Sequence, residues 1–276
     1  MSEFLVTGAT GAQGGAVARL LLACGHRVRA LTRNTESPAA AALREAGAAI
    51  VAGDFDDAAV LRTAMEGTDG VFAMGTAFSG AGAEGEVRQG KALIDAARAV
   101  GIGHFLYSSS AGTRTLTGVP HTDSKREVEE YLAASGLAST VIGPHAFLDS
   151  WIPDQFASGQ LMHLAAPDVP IAWIAVDDIA AFAVYVLENR AEFVGKSVEI
   201  ASFTASAQEI AAEVGGVTYE QMSLGDEANA DMQAMLDLFG KGGVPSDVPA
   251  LHAAYPDVAW HSLSSWVEEK IRPQRG

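Results

Sequence analysis

Gly8, Gly11 and Gly14 lie in the run TGATGAQGG, directly after the apolar Phe4-Leu5-Val6. Glycine has no Cβ, so such positions suit a tight turn, a close approach of backbone to a ligand, or close packing of a helix on a strand. A helix that starts here aims its free N–H groups outward, and that end attracts phosphate. The chemistry such a turn can do is to hold a dinucleotide, with Gly8, Thr10, Gly11, Ala12, Gln13 and Gly14 as the diphosphate cradle. About 20 residues beyond such a turn, an acidic side chain would bind the ribose 2′-hydroxyl. Here the chain reads Leu31-Thr32-Arg33-Asn34. The planar fork of donors on Arg33 suits a 2′-phosphate instead, which points to NADP(H). Asp54, in AGDFDD, is placed to reach the adenine amine with Phe55 as an apolar wall. Its alternative role is a helix cap, for which Asp56 and Asp57 are better placed. Gly75 and Thr76, after the next strand pattern, are expected near the diphosphate and the nicotinamide ribose.

These residues need elements to hold them. Strand patterns run near 3–7, 27–32, 48–52, 70–74, 104–108 and 138–142, alternating with helical patterns near 13–24, 37–46, 57–66, 84–100 and 123–135. Gly25, Gly47, Gly67, Gly101 and Gly136 suit the helix C-termini. The alternation implies an α/β fold, a doubly wound parallel Rossmann sheet whose crevice lies at the C-terminal strand ends. Val17, Leu20, Leu21 and Cys24 mark one face of the first helix, so Cys24 is expected to be a buried thiol. Residues 1–150 are expected to form the NADP(H)-binding domain. Residues 151–276 then form a smaller α/β substrate lobe, with 171–202 returning to the Rossmann sheet. In that return, Asp177 or Asp178 caps a helix over Val176–Leu187, and Lys196–Ala201 is a strand. Ser206 and Glu209 have capping-box spacing, and 226–239 and 262–271 read as further helices.

At 276 residues, 49% of them hydrophobic, the chain can bury a substantial core. Its 18 Lys and Arg against 34 Asp and Glu give a net charge of −16, which opposes direct binding to nucleic acid. A single cysteine excludes an internal disulfide and fits a reducing cytoplasm. No apolar run reaches membrane-spanning length, so no membrane partner is expected. His104, His145 and His163 are scattered without metal-ligand spacing, and no metal is expected. No G-x-S-x-G hydrolase signature is present.

In chain order, VTGATGAQGG, LTRN, VAGDFDD, TDSKREVEEYL, GPHAF and VDDIAAFAVYVLE followed by GKSVEIAS resemble the NmrA-like branch of the atypical short-chain dehydrogenases/reductases. The resemblance implies an NADP(H)-binding Rossmann domain with a smaller C-terminal lobe, in members that are either reductases or catalytically silent redox-sensing regulators. It carries Lys125 over as a contact to cofactor or substrate carbonyl. It sets Gly143, Pro144 and Phe147 beside the nicotinamide, and one serine of Ser108, Ser109 and Ser110 on the substrate, with Ser109 and Ser110 as the candidates. His145 and Trp151 face substrate or pack the lobe.

Ordinary short-chain reductases carry Tyr-x-x-x-Lys, whose two ends share a helix face. Here Lys125 has His121 at the tyrosine position. His121 is either the proton donor or a polar residue at a helix start, with Thr122 or Asp123 as the cap. Tyr131 lies off that face, and Tyr107 points to the opposite side of its strand from Ser108. The expected function is an NADPH-dependent reductase passing hydride to a small apolar electrophile such as a quinone, enone, imine or cationic dye. The alternative is a noncatalytic NADP(H) sensor acting through a protein partner or as a homodimer.

Overall fold

The computed structural model describes residues 1–75, 82–115, 118–149, 156, 159–224 and 230–274. Its first half alternates β1 (Glu3–Val6), α1 (Ala12–Ala23), β2 (Arg27–Thr32), α2 (Pro38–Glu45), β3 (Ala49–Ala52), α3 (Ala58–Met65), β4 (Gly70–Met74), α4 (Gly82–Val100), β5 (Phe105–Ser108), α5 (Pro120–Ala134) and β6 (Ser139–Pro144). Each expected strand and helix of this stretch is present within a few residues. Gly25, Gly47, Gly67, Gly101 and Gly136 all adopt positive φ after the helices, where any other residue would be strained.

The chain continues through β7 (Ala146–Phe147), β8 (Gln160–His163), β9 (Ile171–Ile174), α6 (Val176–Glu188), β10 (Ser197–Ile200), β11 (Phe203–Ala205) and β12 (Thr218–Gln221). The main sheet has seven strands in the order β10-β6-β5-β4-β1-β2-β3. The ladders β1–β2, β1–β4, β2–β3, β4–β5 and β5–β6 are all parallel. This is the doubly wound Rossmann order, with its reversal between β1 and β4. β9, within the 171–202 stretch, pairs instead in a three-stranded sheet β11-β9-β7, and β12 pairs with β8.

The chain divides into two compact units, the first comprising Met1–Leu116, His121–Gly143 and Ile179–Val198, the second Thr117–Pro120, Pro144–Asp178 and Glu199–Gly276. The first unit's core joins Leu5, Val71, Phe105 and Tyr107 of the sheet to Leu61, Leu93, Ile94, Val128 and Leu132 of the helices. The second unit packs Trp173, Phe203, Ile210 and Trp266 into a separate cluster. Among the described residues, no helix is long and apolar enough to cross a membrane.

Three local expectations are corrected. Cys24 is exposed, because it is the C-cap of α1 and the chain leaves the helix before the period returns it to the core. Val17 and Leu21 are buried as expected, whereas Leu20 is only half-buried. α5 begins at Pro120, ahead of the proposed caps Thr122 and Asp123, since proline is pre-set for a first helical position. Neither Asp177 nor Asp178 caps α6, because the helix starts at Val176 and both lie within its first turn. Asp149 takes the capping role: one carboxylate oxygen accepts from Val176 N at 2.6 Å and the other from Trp266 Nε1 at 3.0 Å. The Ser206–Glu209 capping box is formed, Ala230–Phe239 is helical, and Leu263–Trp266 runs into a π-helical turn at Val267–Ile271.

Candidate functional site

In the first unit, the strand-to-helix turn has no room for a side chain at Gly8 or Gly14. A Cβ on Gly14 would stand 2.5 Å from the carbonyl oxygens of both Thr7 and Gly8, and one on Gly8, whose φ is +59°, would stand 2.8 Å from Met74 Sδ. Gly11 N donates to Gly8 O at 2.9 Å and closes the turn. Gly11 is also the N-cap of α1, with no side-chain cap and no acidic residue in the first turn. The N–H groups of that turn are left for an outside acceptor, which is the chemistry a diphosphate needs. Gln13 is buried, and its Oε1 has no hydrogen-bond partner among the described residues. Thr10 and Ala12 lie on the same turn, and the Thr10 hydroxyl stands 3.4 Å from that of Thr32 at the end of β2.

Arg33 is exposed just past β2, with no ion-pair or hydrogen-bond partner among the described residues. Asp54 and Phe55 are half-buried after β3. Asp57 is the residue that caps α3, accepting from Ala59 N and Val60 N at 3.0 Å. Among the described residues, the Asp54 carboxylate accepts only the local N–H of Asp56 at 3.0 Å, while Asp57 does the capping. These are the residues that can hold a phosphorylated ribose and an adenine.

Lys125 lies on α5 with only 12% of its side chain exposed, not as a solvated surface lysine. Its Nζ donates to Glu86 Oε1 of α4 at 2.6 Å and stands 3.4 Å from the Gly75 carbonyl at the end of β4. Glu86 Oε2 accepts from Ser124 Oγ at 2.6 Å. The Glu86 carboxylate is wholly shielded from water, so a buried charge is matched by an adjacent cation. The sequence reading missed Glu86, although a signal was present. Glu86, Gly90, Leu93, Ile94 and Ala97 repeat at helical spacing on the buried stripe of α4, and an acidic residue on an apolar stripe calls for a partner.

His121 is half-buried in the first turn of α5, and its backbone carbonyl lies 3.0 Å from Ser124 Oγ, whose single proton has its shorter contact with Glu86. The Ser109 hydroxyl donates to Glu129 of α5, while that of Ser110 donates to the Ala111 carbonyl at 3.3 Å. Tyr107 has the parity of Ser109 on β5, and its buried phenol makes no hydrogen bond among the described residues. Burial pushes that phenol well above its ordinary range, and the charges of Glu86 and Glu129 add to the effect. Tyr131 is engaged at the surface, its hydroxyl donating to Asp95 at 2.9 Å. Gly143 packs against the end of β5, where a Cβ would stand 3.0 Å from Ser110 O.

In the second unit, Pro144 and His145 are buried and Phe147 is half-buried. The His145 Nε2 makes no hydrogen bond among the described residues, and the Glu199 carboxylate is 3.9 Å away. Burial lowers His145 to about 4, so at neutral pH it is an uncharged hydrogen-bonding group. Thr76 and Trp151 lie outside the described residues.

The pattern of the NmrA-like family matches residues 1–238. The NmrA-like family domain-containing oxidoreductase notA of Aspergillus sp. (strain MF297-2) is 34% identical over 202 residues, covering 63% of this chain and 60% of the relative. Over the first four curated relatives, the match spans 60%, 57%, 50% and 40% of their length, less than two thirds in each. Among solved structures, an NADPH complex of the NADPH-dependent quinone oxidoreductase QOR2 from Escherichia coli superposes with a TM-score of 0.76 at 26% identity, covering 96% of this chain and 98% of that one. A structure of NmrA, described as a negative transcriptional regulator, in complex with NADP has a TM-score of 0.81 at 20% identity, covering 99% and 96%. That second likeness is one of fold.

Proposed function

The chain belongs to the NmrA-like family, and on that premise we propose that it is an NADP(H)-dependent reductase acting on a small apolar electrophile such as a quinone, enone, imine or cationic dye. The turn at Gly8–Gly14 carries the reading, because its uncapped helix end leaves N–H groups for an outside anion and its glycines let strand and helix close together. Arg33 takes the 2′-phosphate, Asp54 and Phe55 the adenine, and Gly75 and Thr76 the neighbourhood of the nicotinamide ribose. Gly143, Pro144 and Phe147 flank the nicotinamide. The oxidoreductase relatives and the quinone-reducing structural neighbour support the reaction class.

When bound, the nicotinamide supplies the hydride. The protein's part is to orient the acceptor and to exclude water, with Lys125 toward the cofactor or the substrate carbonyl. Ser110, His145 and Trp151 serve the substrate. Ser109 is assigned there with less capacity, since Glu129 already takes its proton. No tyrosine stands at position 121 to protonate a substrate oxygen, so the reading favours acceptors that delocalise the incoming electrons or already carry positive charge. NADPH fluorescence titration should show saturable binding, and NADPH oxidation should follow with at least one member of a quinone, enone, imine and cationic-dye panel. Binding without turnover across that panel would sink the reductase.

One observation favours a second reading, a noncatalytic NADP(H) sensor with a protein partner or as a homodimer. Position 121 is histidine, and neither Tyr107 nor Tyr131 is placed as a substitute phenol. That reading requires unequal affinities for NADP+ and NADPH, since a ligand shifts a switch only by binding its states unequally. Equal affinities with no recovered partner would dispose of it.

A further inference from the structure

We propose that Glu86 is a positioning residue for Lys125, a role that rests on the reading of Lys125 as a cofactor or substrate contact. An ammonium group carries three N–H donors. In the first unit, one is directed at Glu86 Oε1 at 2.6 Å and a second is within 3.4 Å of the Gly75 carbonyl. Lys125 therefore keeps a fixed place at the end of β4, with one donor unspent among the described residues. A flexible four-carbon stem would otherwise wander among rotamers, and the salt link removes that freedom.

The backbone is built around this contact. A Cβ on Gly75 would stand 3.2 Å from Glu86 Cγ and Oε1, so glycine at 75 lets the carboxylate lie against the strand end. One helical turn beyond Glu86, a Cβ on Gly90 would stand 2.7 Å from Val128 Cγ2, and that close approach sets the distance between α4 and α5. Val128 is one turn beyond Ser124 and Lys125, so the same approach brings both donors onto Glu86. Ser124 takes the second carboxylate oxygen and fixes the rotation of the group. A carboxylate needed only for packing would be replaceable by an apolar group of like size at little cost.

The test is a double-mutant cycle on the full chain with Glu86→Gln, Lys125→Met and the double variant, read as kcat with an active acceptor, as NADPH dissociation constant and as unfolding midpoint. Glu86→Gln keeps the shape and an acceptor for Ser124 while removing the charge. Each single change is expected to lower kcat by about tenfold or more, and the double variant to be no worse than Lys125→Met alone. Gly90→Ala, which touches neither residue, should lower kcat in the same direction while the protein stays folded. Effects of Glu86→Gln that multiply with those of Lys125→Met would overturn the assignment, as would a Glu86→Gln protein with wild-type kcat. A loss confined to the unfolding midpoint would do the same. Wild-type protein that binds NADPH but reduces no acceptor ends the reductase reading alone. The cycle is then read in NADPH dissociation constants, where coupling supports Glu86 and independence overturns it. Wild-type protein that fails to bind NADPH overturns both.

Discussion

Glu86 in the first unit and Asp178 in the second are each 1% exposed, yet they spend their hydrogen-bonding capacity differently. Glu86 is met by two consecutive residues of one helix, Ser124 and Lys125, and among the described residues the lysine retains a donor. Asp178 is met by residues far apart in sequence. One of its oxygens accepts from the Ser202 hydroxyl and from His261 N at 2.9 Å, while the other meets His261 Nδ1 at 2.5 Å. The remaining imidazole nitrogen lies 3.2 Å from Glu269. Lys270 then bridges Glu269 and Asp177. The second arrangement ties stretches of the second unit to one another, Asp177–Asp178, Ser202, His261 and Glu269–Lys270. The two pairs differ in place: the lysine of the first stands at the end of β4 beside the Gly75 carbonyl, whereas the second joins segments distant in sequence.

The largest expected effect tests that distinction directly. Asp178→Ala strands the His261 cation and removes the acceptor for Ser202 and the His261 N–H. Breaking a buried pair in this way costs about 3–5 kcal/mol. The unfolding midpoint should fall sharply, while NADPH affinity measured where the variant is still folded should match wild type. A normal midpoint with impaired NADPH binding would reverse the two roles and break the comparison.

A smaller effect comes from pH. The hydrogen bond that His261 donates to Asp178 raises it from 6.5 to about 9, against the opposing pull of burial, and Glu269 adds to the rise. A group raised in the folded state stabilises it fully below its unfolded value and loses that contribution as pH climbs through the folded value. Stability from this tie should therefore be complete below about pH 6.5 and disappear by about pH 9, a change on the order of 3 kcal/mol. Lys270 is raised above its ordinary 10.5 by its bonds to Asp177 and Glu269, burial notwithstanding, so its loss falls beyond this window. Unfolding midpoints from pH 6 to 10 should decline in wild type and flatten in His261→Gln. A flat wild-type profile would remove the charged tie from the comparison.

The same contrast explains what the sequence disclosed. Period and punctuation made the Rossmann half legible, because each helix there ends at a glycine whose positive φ other residues avoid. The turn at Gly8–Gly14 was legible through its glycines, since Gly8 takes a positive φ and a Cβ on Gly14 would collide with the carbonyl oxygens of Thr7 and Gly8. Pairings across the fold were not. Nothing local in Glu86 names Lys125, 39 residues away, and nothing in Asp178 names His261, 83 residues away. Cys24 misled because helical periodicity was extended one residue past the point where the helix stops. Asp149 as the cap of α6 was hidden likewise, because its partner Val176 comes 27 residues later.

Arg33 extends the comparison to a cation with no partner at all among the described residues, and the expected effect is the smallest. An exposed guanidinium interacts through water and is screened by salt, so its contribution to binding a 2′-phosphate is modest compared with a buried pair. Arg33→Glu should weaken NADPH about tenfold, roughly 1.4 kcal/mol, and leave NADH nearly unchanged, because only the former carries the phosphate. Raising ionic strength should narrow the wild-type preference toward that of the variant. If NADPH and NADH affinities respond equally to Arg33→Glu, the arginine is an ordinary strand-end residue. The choice between the two cofactors must then rest on another side chain.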